Sequence, residues 1–270
     1  MPGRTRVERG LAALSPLVLL LASVASCSTT DDPVEPPRPW LSGSQTWQFQ
    51  LSGELDPAID AEVFVLDGFD TTAQDAQSLR ARGRRLICHV GAGAYESDRP
   101  DAGRFPADAI GSATGRPDER WLDIRQWQIL EPILADRFRL CRGKGFDAVA
   151  PDGVQGYTAE TGFPLTFDDQ LAFNRRLAVL ARSLGLSPGL RNDVEQAMAL
   201  QPDFDFAINE ECVRLRRCDR LVPFVDAGKP VFHVEYEATT GDFCVTALGY
   251  GFSSMRKDRA LGVWRAPCLR

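Results

Sequence analysis

The sequence predicts an α/β chain built as one (β/α)8 TIM barrel. Eight short β-prone runs alternate with mostly helical patterns from residue 45 onward, and polar residues recur where those runs finish. Strands alternating with helices pair in parallel, and eight of them in about 220 residues close into a barrel. A doubly wound open sheet is the competing architecture, but no G-x-G-x-x-G follows the first strand to mark a dinucleotide site.

The strand candidates are TWQFQL (46–51), AEVFVLDGF (61–69), RRLICHVGAG (84–93), GFDAVAPDGV (145–154), LSPGLRN (186–192), FDFAINEEC (204–212), KPVFHVEYE (229–237) and GFSSMRKD (251–258). Between them, residues 71–83 read as a helix closed by Gly83. Residues 123–145 read as a longer one with Trp127, Leu130, Leu134 and Phe138 on one stripe. Residues 166–185 start from a Thr166 cap and stop at Gly185. Residues 94–120 are long and poor in apolar side chains, and a connection of that length in a compact domain is usually functional.

The first 27 residues read as a signal peptide. Arg4, Arg6 and Arg9 form a basic start, and Leu11 to Val24 form an apolar stretch too short to span a membrane. The ending LASVASC resembles the lipobox of bacterial lipoproteins, which implies a lipidated Cys27 and a chain exported and anchored to the membrane by that lipid. An ordinary secretory signal with a chance cysteine is the alternative. Residues 28–44 are then a disordered, proline-rich tether, and 45–270 the barrel domain. Setting Cys27 aside leaves six of seven cysteines: Cys88, Cys141, Cys212, Cys218, Cys244 and Cys268. An even count in an exported chain suggests up to three disulfides, with connectivity left open. Zinc is disfavoured: no C-x-x-C pair exists, and His89 and His233 are far apart in sequence. No metal or other cofactor is expected.

A formal net charge of -6 argues against a nucleic-acid partner and fits a neutral or cationic ligand. Catalytic groups of barrels sit where strands finish. Here the second run ends in Asp67, the fourth in Asp152, the sixth in Glu210 and the seventh in Glu235, while the fifth ends in Arg191 and Asn192 and the eighth near Lys257. Each carboxylate alone has a plainer reading; Asp67 and Asp152 both precede a glycine and suit a turn or cap. Four together on one rim point to chemistry or to a cationic ligand. No G-x-S-x-G marks a serine hydrolase. Carboxylate chemistry remains, and glycoside hydrolysis needs one acid for the leaving oxygen and one carboxylate as nucleophile or base.

FDAVAPDGVQGY, DFAINEEC, VFHVEYE and GFSSMRKDRALGVWRAPC, with GAYESDRPD and ERWLDIR before them, resemble glycoside hydrolase family 114, the endo-α-1,4-polygalactosaminidases, over residues 46–268. The resemblance implies Asp152 as nucleophile and Glu210 as acid/base of a retaining mechanism. It implies Asp67, Tyr95, Arg99, Asp101, Tyr157, Asn192, Glu235 and Lys257 beside the substrate, an amino-sugar polymer. A monomer is expected. An acidic rim suits galactosamine, whose amine is a cation near neutral pH. The resemblance also suggests the pairs Cys212–Cys218 and Cys244–Cys268, leaving Cys88–Cys141. Three positions depart from the family's usual E-P-D-N-V-D-G-Y: Ala150, Gly153 and Gln155; the family's K-N is Arg191-Asn192. A non-catalytic carbohydrate-binding barrel and a glycosidase for a different sugar are the alternatives; retention of both Asp152 and Glu210 favours an enzyme.

Overall fold

The computed structural model describes residues 1–5, 40 and 45–269. The expected signal peptide beyond Thr5, with Cys27, and the tether other than Trp40 lie outside the described residues. The chain divides into two units, Met1–Pro33 and Val34–Arg270, and the second holds the barrel. Among the described residues no helix is long and apolar enough to cross a membrane.

The strands are β1 (Trp47–Gln50), β2 (Val63–Asp67), β3 (Arg85–Gly91), β4 (Ala94–Glu96), β5 (Ile110–Ala113), β6 (Glu119–Leu122), β7 (Ala148–Asp152), β8 (Ser187–Arg191), β9 (Phe206–Glu210), β10 (Val231–Glu235), β11 (Ser253–Arg256) and β12 (Ala266–Pro267). The helices are α1 (Ala73–Ala81), α2 (Trp127–Lys144), α3 (Phe167–Ser183), α4 (Ala197–Leu200), α5 (Cys212–Leu215), α6 (Val222–Asp226) and α7 (Thr240–Gly249). All eight expected runs are strands, and they pair in parallel in the order β1-β2-β3-β7-β8-β9-β10-β11. Thr72, Thr166 and Thr239 each open a helix with a reciprocal capping box.

Side chains divide by the two-residue period of a strand. Trp47, Phe49, Val63, Val65, Ile87, Ala148, Ala150, Phe206, Ile208, Phe232, Val234 and Met255 form one buried cluster inside the barrel. Their neighbours Phe64, Leu66, Leu86, Cys88, Val149 and Leu190 join the second cluster, against the helices. Strand β8 contributes almost no inward bulk. A Cβ on Gly189 would lie 2.1 Å from the Phe206 ring, so Phe206 occupies the space a side chain would need.

Among the described residues no strand ladder joins β11 to β1, and the C-terminal segment bridges the gap in the curled sheet. Strand β12 runs antiparallel to β11, and the loop before it is laid along β1. Leu51 N donates to Leu261 O at 2.9 Å, and Arg265 Nη1 to Trp47 O at 2.8 Å. Lys257 bolts this seam: it is fully buried, with Nζ donating to Gln48 Oε1 and Gly262 O. Cys244–Cys268 ties α7 to the same end, Cys88–Cys141 joins β3 to α2, and Cys212–Cys218 closes the loop after β9.

The long segment after β3 is ordered. It folds into a three-stranded antiparallel sheet, β4-β6-β5, anchored from below by Arg137 of α2. That guanidinium is almost wholly buried. It grips Asp101 with two hydrogen bonds of 2.7 and 2.8 Å, and donates to Gly91 O and Glu96 as well.

Gly189→Ala is expected to cost about 1–3 kcal/mol by overpacking. Urea denaturation checks it, and the double variant with Phe206→Leu should recover much of the loss.

Candidate active site

Asp152 ends β7, and its backbone is held from two sides. Ala92 N and Gly93 N both donate to its carbonyl, at 2.9 and 3.0 Å. Gly153 follows with φ of 75°, a left-handed conformation that favours glycine, and a Cβ on Gly93 would meet Gly153 O at 2.0 Å. The two glycine-containing turns pack directly on each other, so the strand end cannot swing. The β7–β8 ladder stops at Val149↔Pro188. Neither Pro151 nor Pro188 offers it an N–H, and above that point Asp152 and Arg191 project from adjacent strands.

One guanidinium joins the expected catalytic pair. Arg191 Nη1 contacts Asp152 Oδ2 and Nη2 contacts Glu210 Oε1. The Arg191 side chain is 2 % exposed and lies over the Phe49 ring. Arg116, from the β5–β6 turn, reaches Asp152 Oδ2 at 2.9 Å, and His89 Nε2 lies 3.4 Å from the same oxygen. Burial raises the Asp152 pKa, but Arg191, His89 and Arg116 outweigh it and hold the carboxyl well below the usual range. Asp152 is therefore ionised across the physiological range. The Glu210 N–H donates to Asn192 Oδ1 at 3.0 Å, which fixes the end of β9 to the end of β8. Burial, followed by Glu210, pushes the Tyr236 phenol far up, so it stays a neutral donor.

The other expected ligands are distributed differently. Asp67 sits on the rim but accepts from Phe69 N and Asp70 N and pairs with Arg99 at 2.7 Å, which is the turn role its following glycine allows. Arg99 also holds Glu96, and Asp101 is gripped by Arg137, so both are loop anchors. Tyr95 packs edge-on against Phe105. Glu235 is fully buried and points out of the barrel, because Phe232 and Val234 take the inward positions of β10. It accepts from Val213 N and Arg214 N and meets His233 Nε2 at 3.0 Å, seating α5. Lys257 lies in the seam already described. Asn192, at φ of 55°, is brought beside the catalytic pair, whereas Tyr157 packs edge-on against Phe167 and faces Asp193.

The four strand-end carboxylates do converge as three on the rim and one outside it, yet none is free. Asp67, Asp152 and Glu210 carry arginine partners, and Glu235 a histidine. A bare acidic rim awaiting a cation is not what the fold builds. Two adjoining pockets flank the pair. One, of about 180 Å³, is lined by Asp152, Arg116, Glu119, Trp121 and Arg191; the other, of about 210 Å³, by Glu210, Glu211, Asp193, Asn209 and Arg217. Gln155 and Asn192 line both. A larger pocket of about 480 Å³ lies at the mouths of β1 and β2, away from Asp152 and Glu210.

The family model of glycoside-hydrolase family GH114 matches residues 28–270. The chain belongs to family GH114. It is 30 % identical to the crystal structure of Aspergillus fumigatus Ega3 in complex with galactosamine, covering 88 % of this chain and all of that one with a TM-score of 0.80. The glycoside hydrolase domain of PelA from Pseudomonas aeruginosa is 13 % identical at a TM-score of 0.64, covering 83 % of this chain and 98 % of that one, a likeness of fold. No curated protein matches by sequence. Membership of GH114 makes the chain a glycoside hydrolase.

Within this GH114 barrel, sequence reasoning passed over four residues at the site. Arg191 was visible only as a strand end, His89 as a lone histidine, Arg116 as part of a loop, and Asp193 as the residue after Asn192. Arg191→Met is expected to leave two buried carboxylates without their shared cation, at a cost of about 3–5 kcal/mol. The sign follows from the depressed Asp152 pKa: its contribution is present above the ordinary carboxylate range and fades as pH falls through the folded value. The loss of melting temperature in Arg191→Met should therefore be larger at pH 7 than at acid pH.

Proposed function

We propose that the protein hydrolyses an amino-sugar polysaccharide by a retaining double displacement, with Asp152 as nucleophile and Glu210 as acid/base. The observation that carries this reading is the shared guanidinium: a carboxylate kept ionised on one strand end, and a second within reach of the same Arg191. Retaining pairs stand roughly 5–5.5 Å apart and inverting pairs roughly 6.5–9.5 Å. A bridge made by the two terminal nitrogens of one arginine favours the shorter spacing.

In the first step an Asp152 oxygen bonds to the anomeric carbon as the glycosidic C–O bond breaks, and the leaving oxygen takes the Glu210 proton. In the second, Glu210 removes a proton from water. The water oxygen displaces Asp152, releasing the sugar and restoring both carboxyl groups. Arg191 and Arg116 offset negative charge on Asp152, so the nucleophile leaves readily once the intermediate has formed. The galactosamine in the Ega3 complex supports a galactosamine-type polymer as the substrate, and the α-1,4 linkage is the one the family resemblance implies.

Export and a lipid anchor at Cys27 belong to the same proposal. Three disulfides in the barrel suit an oxidising compartment. The proposal treats the working unit as a monomer.

Asp152→Asn and Glu210→Gln are each expected to lower turnover on α-1,4-galactosamine oligomers by at least about 10³-fold, since either removes one of two groups the mechanism needs. Product analysis by mass spectrometry reads the outcome. Near wild-type turnover in Asp152→Asn would remove the nucleophile assignment. Binding of the oligomers by the wild type without any product would leave a carbohydrate-binding barrel.

A further inference from the structure

A polymer of free amino sugars brings a cation to each ring, yet the catalytic carboxylates are already neutralised by Arg191 and Arg116. Five carboxylates line the two pockets beside them: Glu119, Asp152, Asp193, Glu210 and Glu211. Glu119 lies 3.6 Å from Arg116, and Glu211 pairs with Arg214 and Arg259. Among the described residues Asp193 is the one of the five that pairs with no cation.

Asp193 is nevertheless buried, at 3 % exposure. Neutral groups hold it in place. Its Oδ2 accepts from Asn174 Nδ2 at 2.8 Å, Asn174 is itself steadied by Gln170 of α3, and Asp193 N donates to Gln155 Oε1 at 2.9 Å. Asn192 and Asp193 stand in succession at φ of 55° and 47°, and both line the pocket that Glu210 lines. The Tyr157 hydroxyl is the other neutral partner of Asp193. Asn209 Oδ1, on a residue 3 % exposed that lines the same pocket, has no hydrogen-bond partner. Buried polar groups are ordinarily paired, so an orphaned carbonyl and a carboxylate without a cation on one pocket suit a cationic donor.

We propose that Asp193, with Asn209, is the amine-reading subsite of the enzyme, receiving the protonated amine of the amino sugar on the leaving-group side of the cleaved bond. The side follows from the lining: this pocket contains Glu210, which serves the leaving oxygen, and not Asp152. The proposal rests on the glycosidase reading and adds the residue that distinguishes a free amine from an N-acetyl group. An ammonium donates to both acceptors and supplies the absent charge, whereas an acetamide is neutral and bulkier.

The groups facing Asp193 make its response to pH definite. Tyr157 on the turn after β7 presents a hydroxyl, Asn174 on α3 an amide, and Glu195 on its own loop a second negative charge; Glu210, Glu211 and Arg217 line the rest of the pocket. Burial pushes the Asp193 carboxyl up to about 7, with Glu195 adding to the rise against the hydrogen bonds from Tyr157 and Asn174. Amine binding is thus expected to strengthen as pH rises toward and through about 7, until the ligand's own amine loses its proton. Free of ligand, the sign for stability is opposite. A raised carboxyl stabilises the fold below the ordinary carboxylate range, and that contribution is lost as pH rises to about 7.

The test compares wild type and Asp193→Asn on fully deacetylated and N-acetylated galactosamine oligomers. The ratio of kcat/KM for amine-bearing over acetylated substrate is expected to fall about tenfold, as for loss of one charge-assisted contact. Calorimetric binding of deacetylated oligomers to Asp152→Asn should strengthen from pH 5.5 to 7.5 (about two pH units around the Asp193 value), and the added Asp193→Asn change should flatten that dependence. Asn209→Ala should move the ratio in the same direction by less, and serves if Asp193→Asn folds poorly. An unchanged ratio and an unchanged pH dependence would overturn the proposal while leaving the hydrolase reading intact. Cleavage of neither oligomer by wild type would count against the substrate reading, and the binding arm would still report on Asp193.

Discussion

The site depends on one buried arginine. Arg191 reaches from the end of β8 to carboxylates on the strand ends either side of it, and each would be costly to bury alone. Its position is a consequence of the barrel floor. Ser187 and Gly189 leave the inner face of β8 narrow, and Phe206 and Phe49 fill the space under and beside the guanidinium. With the cation fixed, Asp152 stays ionised, and Glu210 is held within reach of the same guanidinium. The close glycine turns at Gly93 and Gly153 then keep the β7 end where the arginine can use it.

This arrangement separates two tasks that an acidic rim would confuse. The catalytic carboxylates are balanced from within the protein, so their charge is set before any substrate arrives, a form of electrostatic preorganisation. Recognition of a substrate cation falls instead to an acid whose internal partners are all neutral. The ordered excursion between β3 and α2 contributes to the first task. Arg137 fastens it through Asp101, Glu96 and Gly91, and from that base Arg116 extends to Asp152. Arg99 and Asp101 thus bear on the site through the loop they hold.

Much of the barrel was legible because alternation of strand and helix is written in apolar spacing. Runs such as VFVLD and DAVAPD are short, apolar and bounded by turn residues, and the threonine caps before α1 and α3 are local signals. The parity of a strand end was harder to read. In Val231-Phe-His-Val-Glu235 apolar residues fall on both faces, so only the packed barrel reveals that Phe232 and Val234 face in and Glu235 faces out. Partners distant in sequence were hidden for another reason. Arg137 lies in a helix whose pattern resembles a solvated face, and its two-pronged hold on Asp101 crosses 36 residues. Lys257 stands at a strand end, as a ligand would, but the closing segment folds over it. Asp193 carried no sequence signal beyond following Asn192; its meaning comes from its making no ion pair among the described residues, which only three-dimensional packing defines.

The central claim is that Asp152 forms a covalent bond to the sugar, and the configuration of the first product reports on it most directly. Proton NMR of an α-1,4-galactosamine oligomer digest, followed from the first minutes, distinguishes the new reducing end before it mutarotates. Double displacement through Asp152 gives the α-anomer first, with the β-anomer appearing only as the sugar equilibrates. Initial release of the β-anomer would mean a single displacement by water, and Asp152 would then be a base rather than a nucleophile.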